Sequence, residues 1–220
     1  MLRDSFVIAL ALRLTACGSI ETPVTDVSMK AGDWDILYSY GMAAHPTAAN
    51  QGWVFSFPEG RDNCVSKEDA NCPSVHYVTT KYTAIINKGA MIHIEGNIEA
   101  DPDVRWNYRF ENANVCSAPA STHVMLQIKN DDLTASDGRY WSNSVGLKLS
   151  NGPFALNIPV TEGNWSNVDG EFNKEGLDKL LRNTGNVGFT FSGGCFSGHG
   201  VSVSGGMAMF YVTSFTIKGD

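Results

Sequence analysis

From Trp34 onward the chain is written in short runs of alternating apolar and polar residues, separated by turn residues. Alternation with period two sends successive side chains to opposite faces, as in a half-buried β-strand. WDILYSY (34–40), GWVFSFP (52–58), SVHYVTT (74–80), AMIHIEGNIEA (90–100), WNYRFE (106–111) and THVMLQIK (122–129) read this way. RYWSN (139–143), VGLKL (145–149), FALNIPV (154–160), NVGFTFSG (186–193) and MAMFYVTSFTIK (207–218) continue the series. Ser150-Asn151-Gly152-Pro153 is a hairpin turn signal between two of them. About ten such strands predict an all-β fold of two packed antiparallel sheets.

One segment changes period. Asn173 can cap a short helix, Leu177, Leu180 and Leu181 supply an i, i+3, i+4 stripe, and Gly185 can end it. The Gly-rich stretch SGGCFSGHGVSVSGG (192–206) reads first as two tight turns around a short strand. A flexible binding loop is the alternative, although a disulfide at Cys195 would stiffen it.

Ahead of the strands, FVIALAL (6–12) is an apolar run of the length of a short signal core, ~7 residues. Roughly 20 apolar residues are needed to span a bilayer. The run leads into Leu14-Thr15-Ala16-Cys17-Gly18. This resembles the lipobox of bacterial lipoproteins. The resemblance implies that residues 1–16 are a signal peptide and that the Cys17 sulfur receives a diacylglycerol. The signal is then cut before Cys17 and the new amine acylated. Several acyl chains, at about 0.8 kcal/mol per buried methylene, make a lasting anchor. Residues 17–32 are then the lipidated Cys and a polar tether, and 33–220 the folded domain. Gly18 stands where an Asp would retain many such proteins in the inner membrane, so the outer membrane or a periplasm-facing site in the bacterial envelope is expected. An ordinary secretory signal with a chance Cys is the other reading: Arg13 interrupts the run and Asp4 offsets Arg3.

The cysteines bear on this choice. There are five: Cys17, Cys64, Cys72, Cys116 and Cys195. With Cys17 lipidated, four remain and can pair completely. Three connectivities are open. Loop length favours Cys64–Cys72 across a short polar loop, and hence Cys116–Cys195. No C-x-x-C pair and no finger-like spacing with His points to zinc. With 22 Gly and only 18% charged residues, the composition fits a β-rich extracytoplasmic domain. Residues 1–16 contribute +1 to the net charge of -7, so a chain beginning at Cys17 carries -8. A nucleic acid partner is not expected, because tracking phosphates needs a basic surface.

The strand order, the late helix after a Trp-containing loop (NWSNVDGEF, 164–172) and the long final strand resemble the jelly-roll sandwiches of carbohydrate-binding modules. That resemblance covers most of residues 33–220. It implies a β-sandwich that binds glycans, often with a structural calcium held by an Asp in the last strand. Here that strand runs Phe210 to Phe215 with no acid, so no cofactor is expected, although Asp33, Asp35 and Asp220 could offer oxygens.

The second face of the strands carries the candidate chemistry. If Ile92 and Ile94 point inward, His93 and Glu95 point outward. By the same parity Arg109, His123, Gln127, Arg139 and Trp141 oppose apolar neighbours. One sheet could then show all seven outward. Planar Arg, Gln and Asn groups bond vicinal hydroxyls in pairs, a carboxylate accepts from them, and a flat indole covers the apolar face of a sugar. A plain solvent face has the same pattern, and exposure of Trp141 separates the two.

Three functions remain. The leading one is a non-catalytic, envelope-anchored lipoprotein that binds carbohydrate. The second is a jelly-roll polysaccharide lyase, because Gln127-Ile128-Lys129 looks like a degraded Q-I-H strand motif of that family. Lys stands at its third position, and no R-x-E-x-R strand accompanies it. The third is an assembly lipoprotein that meets another envelope protein.

Overall fold

The computed structural model describes residues 24–38, 43–60, 73–108, 119–193 and 198–219. All five cysteines, Arg109 and Asp220 lie outside the described residues, and so do the disulfide and lipid-attachment expectations.

Two antiparallel sheets pack face to face. Sheet A contains β1 (Val24–Asp26), β4 (Thr47–Ala48), β5 (Trp53–Ser56), β7 (Met91–Ala100), β11 (Gly152–Pro159) and β15 (Ala208–Lys218). Its order is β11-β7-β15-β5-β4, with β1 also paired to β15. Sheet B contains β2 (Trp34–Tyr38), β3 (Ala43–Ala44), β6 (Val75–Lys81), β8 (Arg105–Tyr108), β9 (Ala120–Ile128), β10 (Arg139–Lys148), β12 (Trp165–Asn167), β13 (Thr184–Gly193) and β14 (Val201–Ser204). Its order is β12-β10-β9-β13-β6-β14-β8, with β2 beside β6 and β3 on β2. The chain repeatedly crosses from one sheet to the other, giving a jelly-roll sandwich with one helix.

The inward faces meet in an aromatic core. Trp34 of sheet B packs on Trp53 of sheet A at 4.6 Å between ring centres, and Phe189 on Phe210 at 5.3 Å. Phe55, Phe191 and Phe215 complete the cluster, all within 5% exposure. Edge-to-face and tilted contacts such as these add to plain burial.

The helix α1 (Lys174–Arg182) starts where the cap residue predicts, with the Asn173 side chain accepting from the Gly176 N–H at 3.1 Å. Leu177, Leu180 and Leu181 are buried. It stops at Asn183, two residues before Gly185, because β13 begins at Thr184 and the Thr184 hydroxyl donates to the Leu180 carbonyl at 3.1 Å.

Five expectations change. RYWSN and VGLKL are one strand, β10, with a register shift between Trp141 and Gly146. Ser150–Pro153 is no hairpin: β10 lies in sheet B and β11 in sheet A, so the turn links the sheets. Val75 and Tyr77 do not share a face, because β2 and β6 shift register between Leu37 and Tyr38. Trp165, read as a loop residue, is fully buried on β12. Residues 24–32, read as tether, belong to the domain. β1 pairs with β15, Val27 is 3% exposed, and its N–H donates to the Phe215 carbonyl. Val24, Val27 and Met29 are scattered among polar residues and make no run long enough for a strand to be read.

Candidate functional site

The seven predicted residues do not share a face. His93 and Glu95 stand on sheet A, His123, Gln127, Arg139 and Trp141 stand on sheet B, and Arg109 lies outside the described residues.

On sheet A, Ile92, Ile94 and Ile98 of β7 enter the core, and Met91, His93, Glu95, Asn97 and Glu99 point out. Each lies in a row across three strands. His93 sits between Asn157 and Thr216, Glu95 between Ala155 and Ser214, and Asn97 between Pro153 and Tyr211. His93 Nδ1 is 2.8 Å from Asn157 Oδ1, and Nε2 is 3.2 Å from Glu95 Oε1. Tyr211 donates to Glu99 Oε2 at 2.9 Å, and Asn97 Nδ2 donates to Oε1 at 3.4 Å. The Glu99 carboxylate at the end of that bond raises the Tyr211 pKa. Two hydrogen-bonded clusters, Asn157–His93–Glu95 and Asn97–Glu99–Tyr211, therefore stand on one outward face. The Glu95 side chain is 55% exposed. A carboxylate has about four lone-pair sites, so each glutamate keeps acceptor capacity for a ligand.

The outward face of sheet B is different. Arg139 Nη1 donates to the Tyr77 hydroxyl at 3.1 Å and Nη2 to the Leu133 carbonyl at 2.9 Å. Its Nε lies 3.2 Å from Asp131 Oδ2, close enough for an ion pair although too poorly aligned for a hydrogen bond. Gln127 donates to Asp131 Oδ2 at 3.0 Å and accepts from Asn186 at 2.8 Å. Burial pushes the Tyr77 phenol up, against the Arg139 charge beside it. The polar groups are committed to one another, and they fold the 129–138 turn back onto the sheet. Leu133 holds a left-handed φ of 67° there, with its carbonyl bonded to Arg139.

Trp141 corrects a further expectation. It does point away from the core, opposite Met125, yet it is only 4% exposed and Met125 only 1%. Period-two parity tells which face a side chain leaves by. It does not tell what lies over that face.

His123 is also enclosed. Its Nδ1–H donates to the Ser142 carbonyl at 2.7 Å, and Nε2 is 3.4 Å from the Ser121 hydroxyl. Burial lowers its pKa, only partly offset by the Ser142 carbonyl. Gly146 lies opposite, where a Cβ would come within 2.4 Å of the ring. The β10 bulge thus makes room for a neutral imidazole.

A cavity of about 450 Å³ lies where α1 begins, lined by Ile128, Ala135, Asp137, Asn173, Glu175 and Lys179. Asp137 is held below the usual carboxylate range chiefly by a hydrogen bond from Asn167, helped by Tyr140 and Asn173. Both its oxygens are occupied: Tyr140 and Asn167 donate to Oδ1 at 2.8 and 2.9 Å, and Asn173 to Oδ2 at 2.9 Å. This carboxylate ties β10, β12 and the helix start together.

Among the described residues no three His, Cys, Asp or Glu side chains are grouped to hold a metal ion. Asp33 accepts from the Ser28 hydroxyl at 2.6 Å, and Asp35 lies 3.4 Å from His45.

Asn157, Glu99 and Tyr211 were not singled out from the sequence. Parity marks each as outward, since Leu156, Ile158, Phe210 and Val212 around them are core. Which strands stand side by side, and hence which outward residues meet, is a property of the topology.

No protein-family model matches the sequence, and no curated protein sequence matches it. Among solved structures, the chain is similar to a xylan-binding module, CBM15, at 13% identity and a TM-score of 0.49, with 90% of this chain and 96% of that chain covered. It is also similar to a xylanase from Cellvibrio japonicus in complex with xylopentaose, at 13% identity and a TM-score of 0.47. That match covers 88% of this chain and 28% of the xylanase.

Proposed function

We propose that the protein is an exported bacterial lipoprotein, anchored through Cys17 in the cell envelope, that binds carbohydrate without catalysis on the outward face of sheet A. One observation supports the reading most: the two clusters Asn157–His93–Glu95 and Asn97–Glu99–Tyr211 occupy successive rows of an open face. Outward positions repeat about every 6.6 Å along a strand, so His93 to Glu99 offers roughly 20 Å of polar track. A short oligosaccharide laid along it would donate hydroxyls to the two carboxylates. It would accept from the Asn157 and Asn97 amides and donate to the Tyr211 phenol oxygen, whose own hydrogen is held by Glu99.

The face also suggests a class of glycan. Glu95 and Glu99 are both carboxylates and would repel a uronate, so a neutral glycan fits better. The lyase alternative is not favoured by Gln127, whose amide is engaged on both sides by Asp131 and Asn186.

A broad glycan array probed with residues 18–220 tests the reading. Selective binding to neutral glycans, lost in a folded Glu95→Ala/Asn157→Ala variant, is the expected result. A blank array with folded protein would overturn it and favour a protein partner.

A further inference from the structure

The site leaves one end of sheet A unexplained. Val24 opens β1 opposite Lys218, Lys218 lies opposite Met91, and Met91 lies opposite Pro159. Residues directly opposed in antiparallel strands share a face, so these four form one outward row across four strands. Ile217, Ile92 and Ile158 beside them are buried. The connection from β6 to β7 runs along the same end. The Tyr82 phenol is hydrogen-bonded with Thr25, and the Gly89 N–H donates to the Val160 carbonyl. Between them Ile85 is 66% exposed.

Val24, Ile85 and Met91 are three of the six exposed large hydrophobics among the described residues, and all three sit at this end. Lys81, Lys88 and Lys218 are exposed there as well. Lys88 pairs with Glu162. No acid lies within ion-pair distance of Lys81 or Lys218 among the described residues.

The chain length ahead of Val24 says what meets this end. From Cys17 to Val24 is seven residue steps. Fully extended they reach no more than about 25 Å, and as a flexible coil about 15 Å. A domain of this size has a radius of gyration of about 16 Å, so the tether is shorter than the domain is broad. An anchor at Cys17 holds the Val24 end of the sandwich close to the bilayer.

We propose that this end docks on the phospholipid surface. Val24, Ile85 and Met91 enter the headgroup region, and Lys218 and Lys81 lie beside lipid phosphates. The proposal rests on the reading of Cys17 as the lipid attachment point. It orients the molecule: the outward rows of β7 lead away from the membrane, and Glu99 stands about 26 Å farther along the strand than Met91. The polar track is thereby presented to glycan beyond the lipid surface.

Hydrogen exchange on the mature lipidated chain, beginning at Cys17, in nanodiscs containing anionic phospholipid tests this, with soluble residues 18–220 as the reference. Intact mass of the same sample reports the lipid. With lipid present, slowed exchange across residues 24–26 and 82–91 is expected in nanodiscs, reversed by Ile85→Glu. Lipidated protein whose 82–91 segment exchanges as fast as in the soluble chain would overturn the docking and leave the anchor intact. An unmodified Cys17 would overturn the anchor and the docking with it. Equal protection in concentrated soluble protein would assign the surface to a second copy of the chain, against the proposal.

Discussion

Arg139 Nε lies 3.2 Å from Asp131 Oδ2, and water reaches neither well: the side chains are 9% and 1% exposed. Removing one partner of a buried pair strands the other charge. Asp131→Ala should lower stability by about 3–5 kcal/mol, measured by urea unfolding. Replacing both, as Asp131→Leu with Arg139→Met, should recover much of that loss. A single substitution costing under about 1 kcal/mol would show that the pair does not close the turn.

His123 supplies a pH dependence. The folded ring has a lowered pKa, caused by burial. The unfolded ring titrates near the ordinary value of about 6.5. As pH falls through that value the unfolded chain gains a proton that the folded chain refuses. Stability from this residue is therefore complete above about pH 6.5 and declines below it. Asp137, depressed from 3.8 chiefly by Asn167, adds a second loss only as pH falls below the ordinary aspartate range. A His123→Asn variant should flatten the first phase and leave the second. Unfolding midpoints from pH 7.5 to 3 would show both, and an unchanged first phase would remove His123 from the account.

Trp141→Ala should act on the fold. Truncating a large buried side chain costs about 3–5 kcal/mol. Thermal unfolding should show a large drop, while Trp141→Phe keeps most of the stability.

The strand ends that lead to the cysteines meet in space. Gly193 lies opposite Ala120, and Val201 lies opposite both Val75 and Tyr108. These described residues lie close in sequence to Cys72, Cys116 and Cys195. Oxidised residues 18–220 should show no free thiol on Ellman titration, and each bridge reduced should cost about 2–5 kcal/mol. Two or more free thiols would remove the paired arrangement.

The sequence made the strands legible because β7, β9 and β13 alternate cleanly and their apolar sets form the core. The helix was legible because Asn173 and the leucine stripe act locally. Parity also told which side chains of β7 face out. It failed where neighbours decide. Beside the β10 bulge between Trp141 and Gly146, the missing side chain of Gly146 leaves the space that His123 of β9 fills. The short strands β1, β3 and β4 carry no period of their own and form by pairing with longer partners. Gln127 and Arg139 looked like ligand-binding groups because their mates, Asp131 and Asn186, lie on other segments. Asn157 and Tyr211 went unmarked for the same reason, since β11 and β15 join β7 only through the sheet order.

The central claim is that sheet A, and not sheet B, carries the glycan. Calorimetric titration of a neutral oligosaccharide selected on the array, against wild type, Glu95→Ala/Asn157→Ala and Trp141→Phe, tests it most directly. Hydrogen bonds to a charged group contribute about 1.5–3 kcal/mol, so the sheet A variant should bind at least about tenfold more weakly, with Trp141→Phe unchanged. Full affinity in the folded sheet A variant, with loss in Trp141→Phe, would contradict the account and place the ligand on sheet B.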